Sequence, residues 1–295
     1  MKSRSLLFVP GDSARKFAKA SGVGADILIL DLEDSVAPPN KAAARAHVAE
    51  LLRQGGPRDW RFFVRVNPFD SGLTLADLAA IVQPGLDGIL VPKAEGAADI
   101  VRIGHYLDAL ETAAAMPLGD VKIMVIATET PAAMFTLGSY APAHPRLAGL
   151  TWGAEDLAAG IGATSNKDTG GAWSFPYQVA RAQCLFAACA AGVAPIDTLY
   201  ADFRDSAGLA DDCRRARRDG FTGRLAIHPD QVAVINDGFS PSAEEIAQAW
   251  RIAGAFAAQP GIGTIGIDGK MFDIPHLKSA LRILSAAGIA PDSPP

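Results

Sequence analysis

Cysteine is scarce in this 295-residue chain. Cys184, Cys189 and Cys213 are too few and too irregularly spaced to form a disulfide framework or a zinc site. They read as buried or idle thiols of a reducing compartment. A basic surplus is also lacking: 27 Lys and Arg against 32 Asp and Glu leave a formal charge of −5. Nothing in that balance draws the chain to nucleic acid or to an anionic membrane. No segment approaches the roughly 18 uncharged residues of a membrane helix. The N-terminal apolar run stops at Pro10, too short for a signal peptide. A soluble, cytoplasmic protein is expected. The first strand-to-helix turn, Val9-Pro10-Gly11-Asp12-Ser13, carries no G-x-G-x-x-G fingerprint, which counts against an open dinucleotide-binding sheet.

What is present is core and alternation. Hydrophobic residues make up 49% and charged residues 20%, which suits one large α/β domain or two small ones and excludes wholesale disorder. Eight short apolar runs read as strands: 5–9, 27–31, 62–66, 88–91, 123–128, 148–152, 195–200 and 224–227. Helical patterns over 13–21, 40–53, 75–81, 97–112, 131–140, 176–191 and 209–219 separate most of them. Eight β units each followed by an α unit predict an α/β fold of the closed (β/α)8 TIM-barrel type. An open doubly wound sheet is the rival. The barrel is expected to occupy residues 1–238 and a C-terminal helical extension residues 239–295. The extension starts with a helix capped by Ser242, passes a glycine-punctuated stretch over 261–269, and ends in a helix preceded by Asp273.

In such a barrel the C-terminal ends of the strands line the active site. Strand two ends in Asp31-Leu32-Glu33-Asp34, three carboxylates within four residues. Strands three and four end near Arg65 and Lys93, strand eight at His228. Strands five and six deliver Glu129 and Asp156 just past their last apolar residues. Either carboxylate alone could cap a helix, but both at matching strand ends can converge on one hard cation such as Mg²⁺. Pro131 suits the first turn of a following helix, which puts Glu129 at a strand-to-helix corner. Arg65 neighbours core positions and needs an anionic partner, for which a bidentate carboxylate is natural. Lys93 reads equally as a cap or surface ion pair, and His228 as a structural histidine or a base. No Ser/His or Cys/His nucleophile pair stands out. The set fits metal-assisted making or breaking of a carbon–carbon bond beside a carbonyl.

At these same residues the sequence resembles the citrate lyase β-subunit-like, or malyl-CoA lyase, family of the HpcH/HpaI aldolase superfamily. The likeness runs through Arg4-Ser5-Leu6-Leu7-Phe8-Val9-Pro10-Gly11, Leu30-Asp31-Leu32-Glu33-Asp34-Ser35, Arg65-Val66-Asn67, Val91-Pro92-Lys93, Glu129-Thr130-Pro131, Gly153-Ala154-Glu155-Asp156-Leu157 and the segment from Gly220 to Pro229. The resemblance implies a homotrimer or homohexamer acting on an oxoacid and an acyl-CoA, with Mg²⁺ held by Glu129 and Asp156. Arg65, Glu33 and Asp273 are then the catalytic candidates, Asp273 reaching a neighbouring subunit's site from the Lys270–His276 segment. Gly153, Ala154 and Glu155 join Arg65 in binding substrate. Lys19, Arg15 and Lys16 are candidates for the phosphates of CoA, though a solvated helix face explains Arg15 and Lys16 as well. The aspartate at 273 argues against a bare citrate lyase subunit working on a carrier thioester. A class II oxoacid aldolase without CoA and a non-catalytic barrel subunit are the alternatives. Two departures from the family pattern are Gly160, where many members are acidic, and Phe272 in place of an aliphatic residue.

Overall fold

Eight parallel strands close into a barrel in the order in which the chain makes them. The computed structural model describes residues 2–289. The strands are β1 Ser5–Pro10, β2 Ile27–Asp31, β3 Arg61–Arg65, β4 Gly88–Val91, β5 Lys122–Ile126, β6 Leu147–Thr151, β7 Ala194–Asp197 and β8 Gly223–Ala226. β1 pairs with both β2 and β8, which closes the ring. Every residue of β2, β4 and β8 is buried, the reason β4 and the first four residues of β2 read as unbroken apolar runs. Leu6, Ile29, Phe63, Leu90, Met124, Ile126, Ile196 and Leu225, drawn from every strand but β6, meet in one interior cluster. The barrel is therefore filled by side chains and is not a pore.

The helices of this unit are α1 Ala14–Ala20, α2 Lys41–Gln54, α3 Thr74–Ile81, α4 Ala97–Ala113, α5 Glu155–Ile161, α6 Phe175–Ala191, α7 Ser206–Asp219 and α8 Gln231–Gly238. The helix expected over 131–140 does not form. Two short 3-10 turns, Ala133–Phe135 and Leu137–Tyr140, take its place. β-branched Thr136, at φ −120° and ψ 0°, separates them, and Gly138 follows at once. Strand β7 also stops at Asp197, earlier than expected, so Thr198–Tyr200 belongs to the loop above the barrel.

The chain divides into two compact units at Gly238, the second beginning at Phe239. In the second, α9 Ala243–Ala257 opens with the expected Ser242 cap, reinforced by Glu245 in a capping box. Strands β9 Thr264–Ile267 and β10 Lys270–Asp273 form an antiparallel hairpin where only a glycine-rich stretch was expected. Asp268 and Gly269 make its two-residue turn, with φ of 51° and 76°. Helix α10 Ile274–Ala286 follows, and Ile252, Phe256, Ile265, Ala280 and Leu284 give the unit a core of its own, against which Phe272 packs.

Candidate active site

The register of β2 and β3 sets Asp31 directly beside Arg65. The Asp31 carboxylate accepts from Arg65 Nε at 2.7 Å and from Nη2 at 2.6 Å. The bidentate carboxylate that Arg65 requires is thus supplied by the barrel itself. Burial alone would raise the Asp31 carboxyl, but the guanidinium and the N–H groups of Glu33 and Ser35 hold it below its ordinary range. Phe8 lies under the guanidinium at 4.8 Å. The remaining nitrogen, Nη1, stands 2.9 Å from Glu33 Oε2 and 3.5 Å from Asp34 Oδ2.

Glu33 lies between two cations. Its Oε1 accepts from Lys93 Nζ at 2.6 Å, while Oε2 is buried with no aligned hydrogen bond. Burial raises its carboxyl despite Arg65 and Lys93. Glu33 is buried and, unlike Glu129, does not line the cleft at the C-terminal end of the barrel; it stands behind Arg65 and Lys93 and holds them in place. Lys93 also lies 3.2 Å from Asp156 Oδ1 through Nζ, and its backbone N–H donates to Glu129 Oε2 at 2.6 Å. Burial would lower the ammonium's pKa, yet the hydrogen bond and charge of Glu33, with Glu129 and Asp156 nearby, raise it.

Glu129 is buried at the end of β5 and its carboxyl is pushed up to about 8. Burial is the main cause, the Lys93 N–H opposes it, and the charges of Glu33 and Asp156 add to it. Gly153 lets this carboxylate in: a Cβ at that position would stand 2.8 Å from Glu129 Cγ. A comparable contact explains Gly160, where a Cβ would meet Pro131 Cδ at 2.9 Å. That departure from the family pattern is a packing requirement between α5 and the turn after β5.

Arg65, Glu129, Asp156, Gly153, Ala154 and Glu155 all line one cleft of about 780 Å³ at the C-terminal end of the barrel. Arg15, Lys16 and Lys19 of α1 line it as well, so the cleft has a cationic wall next to its carboxylates. His228 borders it too, stacked on Phe203 with ring centroids 4.6 Å apart. Asp273 lies in the second unit. It caps α10, its side chain accepting from the His276 N–H while its own N–H donates to His276 Nδ1.

Two features escaped the reading of the sequence. Lys93 joins Glu33, Glu129 and Asp156, which come from three other strand ends. Trp152, on the cleft wall, is fixed by a 2.6 Å bond from its Nε1 to buried Asp197. Asp197 in turn faces Arg181 at 3.0 Å and Arg224 at 2.9 Å.

Among the described residues, no three His, Cys, Asp or Glu side chains form a cage for a metal ion. The donor set still fits a hard cation that keeps most of its own water. Glu129 and Asp156 supply two anionic oxygens, Gly153 leaves room for one of them, and the charges of Glu33 and Asp156 lie close enough to Glu129 to add to the effect of burial on its carboxyl.

Residues 4–229 match the family described as HpcH/HpaI aldolase/citrate lyase. The citrate lyase subunit beta of Haemophilus influenzae is 34% identical over 286 residues, 96% of each chain. A (3S)-malyl-CoA thioesterase of Cereibacter sphaeroides is 36% identical over 286 residues, 96% of this chain and 94% of the relative. The solved structure of CitE from Mycobacterium tuberculosis in complex with magnesium, acetoacetate and coenzyme A superposes with a TM-score of 0.78 at 33% identity, covering 97% of this chain and 98% of that one. The citrate lyase relative aligns well past residue 238, so the presence of an extension does not by itself separate the two kinds of relative. With the matched span, the barrel and the strand-end charges all in agreement, this chain belongs to the HpcH/HpaI aldolase/citrate lyase family and is an enzyme of the carbon–carbon lyase type.

Proposed function

We propose that the chain cleaves or forms a 3-hydroxyacyl-CoA of the malyl-CoA or citramalyl-CoA type. The partners in the condensation direction are an acyl-CoA and a 2-oxoacid such as glyoxylate or pyruvate. One observation carries this reading: a carboxylate pair, a clamped arginine and a cationic helix all border a single cleft. Glu129 and Asp156 would hold Mg²⁺. Magnesium, when bound, polarises the carboxylate and 2-oxygen of the oxoacid. Arg65 faces the oxygen that passes between hydroxyl and ketone and stabilises its negative charge through Nη1, with Asp31 and Glu33 fixing its plane. In cleavage that hydroxyl gives its proton to a base, and the electron pair of the broken bond passes to the thioester as an enolate. Asp273 of a neighbouring subunit protonates the enolate carbon, or removes that proton in condensation. Such sharing goes with a homotrimer or homohexamer. Arg15 and Lys19 meet the phosphates of CoA, with their charge complementing the ligand's.

The coverage of the citrate lyase relative favours one other reading, the same bond chemistry on an acyl-carrier thioester. The test is product analysis with Mg²⁺, acetyl-CoA or propionyl-CoA, and glyoxylate or pyruvate. A new CoA thioester in any pairing is the expected result. Turnover of a carrier thioester with none of the CoA esters would transfer the proposal to the second reading, and turnover of free hydroxy acids alone would overturn both.

A further inference from the structure

We propose that Lys93 is the positioning residue of this site: it ties the carboxylates delivered by β2, β5 and β6 to the end of β4 and holds a positive charge against the pair that takes the metal. Its three contacts leave the residue in two directions. The backbone N–H goes to Glu129 at 2.6 Å, and Nζ goes to Glu33 at 2.6 Å and Asp156 at 3.2 Å. Reaching both ways requires φ of 51° at a residue with a Cβ, a left-handed conformation that few non-glycine residues adopt. Such strain persists where the surroundings over-determine it, and here three carboxylates do so. A lysine serving only as a solvated surface charge would need neither the backbone twist nor a side chain only 24% exposed.

Two consequences follow for the chemistry. Lys93 and Arg65 divide Glu33 between them, Nζ on Oε1 and Nη1 beside Oε2. Remove the ammonium and the whole charge of Glu33 falls to Arg65, occupying the nitrogen that must face the oxoacid. The ammonium also shares Asp156 with the cation. A full charge that close to a ligand oxygen weakens metal binding by more than the ordering of one carboxylate rotamer strengthens it. Lys93 therefore trades metal affinity for a free arginine edge.

The inference rests on the reading of Glu129 and Asp156 as magnesium ligands, and calorimetry with MgCl₂ alone separates the two. Lys93→Met keeps the stem and the backbone N–H that donates to Glu129, so its fold is expected to survive. Lys93→Gly, which relieves the left-handed strain, removes the same charge by a second route. Both variants should bind Mg²⁺ at least fivefold more tightly than the wild type, while turnover at saturating Mg²⁺ falls at least tenfold. Lys93→Arg, keeping the charge, should stay within twofold of the wild-type affinity. Variants that fold but bind Mg²⁺ equally or more weakly would overturn the role of Lys93 alone. A wild-type chain that binds no Mg²⁺ would overturn the ligand assignment and this inference with it.

Discussion

Asp31 grips Arg65 along one edge, with both hydrogen bonds at or below 2.7 Å, and leaves only Nη1 directed elsewhere. Under the proposed function, the side chain that meets substrate is thus oriented by a strand neighbour, while its third nitrogen stands 2.9 Å from Glu33.

Arg65→Lys keeps the charge and loses the fork, so turnover should fall at least about tenfold with KM for the CoA ester changed by less than about twofold. Steady-state kinetics checks this, and a variant within twofold of wild type in turnover would remove Arg65 from the chemistry. Asp31→Asn breaks a buried pair from one side. It should cost about 3 kcal/mol in urea denaturation, because the buried guanidinium loses its bidentate partner and keeps only Glu33 and Asp34 at Nη1.

Glu129→Ala and Asp156→Ala should each abolish metal-dependent activity while the barrel remains folded. Glu129 is more deeply buried than its position just past β5 suggested, but removing a buried carboxylate that lies near the charges of Glu33 and Asp156 relieves repulsion. Gly153→Ala tests the same ligand indirectly, since its Cβ must displace Glu129. Calorimetric Mg²⁺ titration in the presence of an oxoacid should show at least about tenfold weaker binding in all three. Unchanged affinity would exclude these residues from the metal site.

Acid stability should depend on Asp197. Burial pushes its carboxyl up, but Arg224 and Arg181 outweigh burial and hold it below its ordinary 3.8. A depressed folded pKa contributes stability above the unfolded value, and that contribution is lost as pH falls through the folded one. Thermal midpoints measured from pH 6 downwards should therefore drop steeply below about pH 4. In Asp197→Asn that part of the slope should vanish, on a midpoint already lowered by leaving Arg224 with Asp212 as its remaining carboxylate. A variant with the wild-type slope would place the acid sensitivity elsewhere.

The barrel was legible because burial on both faces leaves each strand as a bounded apolar run, and the carboxylates at strand ends were legible because they break those runs abruptly. Short-range signals are less decisive in this chain. Asp268-Gly269 is a strong hairpin turn, but the flanking Thr264–Ile267 and Lys270–Asp273 lack a clean apolar alternation, and the glycines drew attention to loop instead. Pro131 suggested a helix, yet Thr136 and Gly138 deny it a second turn. Lys93 was the least legible. Its partners lie 60 residues back and 36 residues on, at the ends of other strands, and no local pattern announces a lysine whose contacts are all long-range.

The remaining prediction concerns Asp273. In its own unit this residue is the N-cap of α10, so Asp273→Ala would confuse loss of a cap with loss of an acid. Asp273→Asn is the better probe, because asparagine caps as well as aspartate and only the ionisable oxygen is lost. If the carboxylate serves the barrel of a neighbouring subunit, chains carrying Asp273→Asn and chains carrying Glu129→Ala are each inactive alone. In mixed assemblies, an Asp273→Asn barrel beside a Glu129→Ala tail has an intact metal site and an intact aspartate. With equal chains and a head-to-tail interface, about a quarter of the sites are of that kind, so recovery should approach a quarter of wild-type turnover. Differently tagged chains that co-purify establish that the subunits have exchanged. Co-purification with no recovered turnover would show that Asp273 serves its own chain or only its helix, and the shared active site would have to be abandoned.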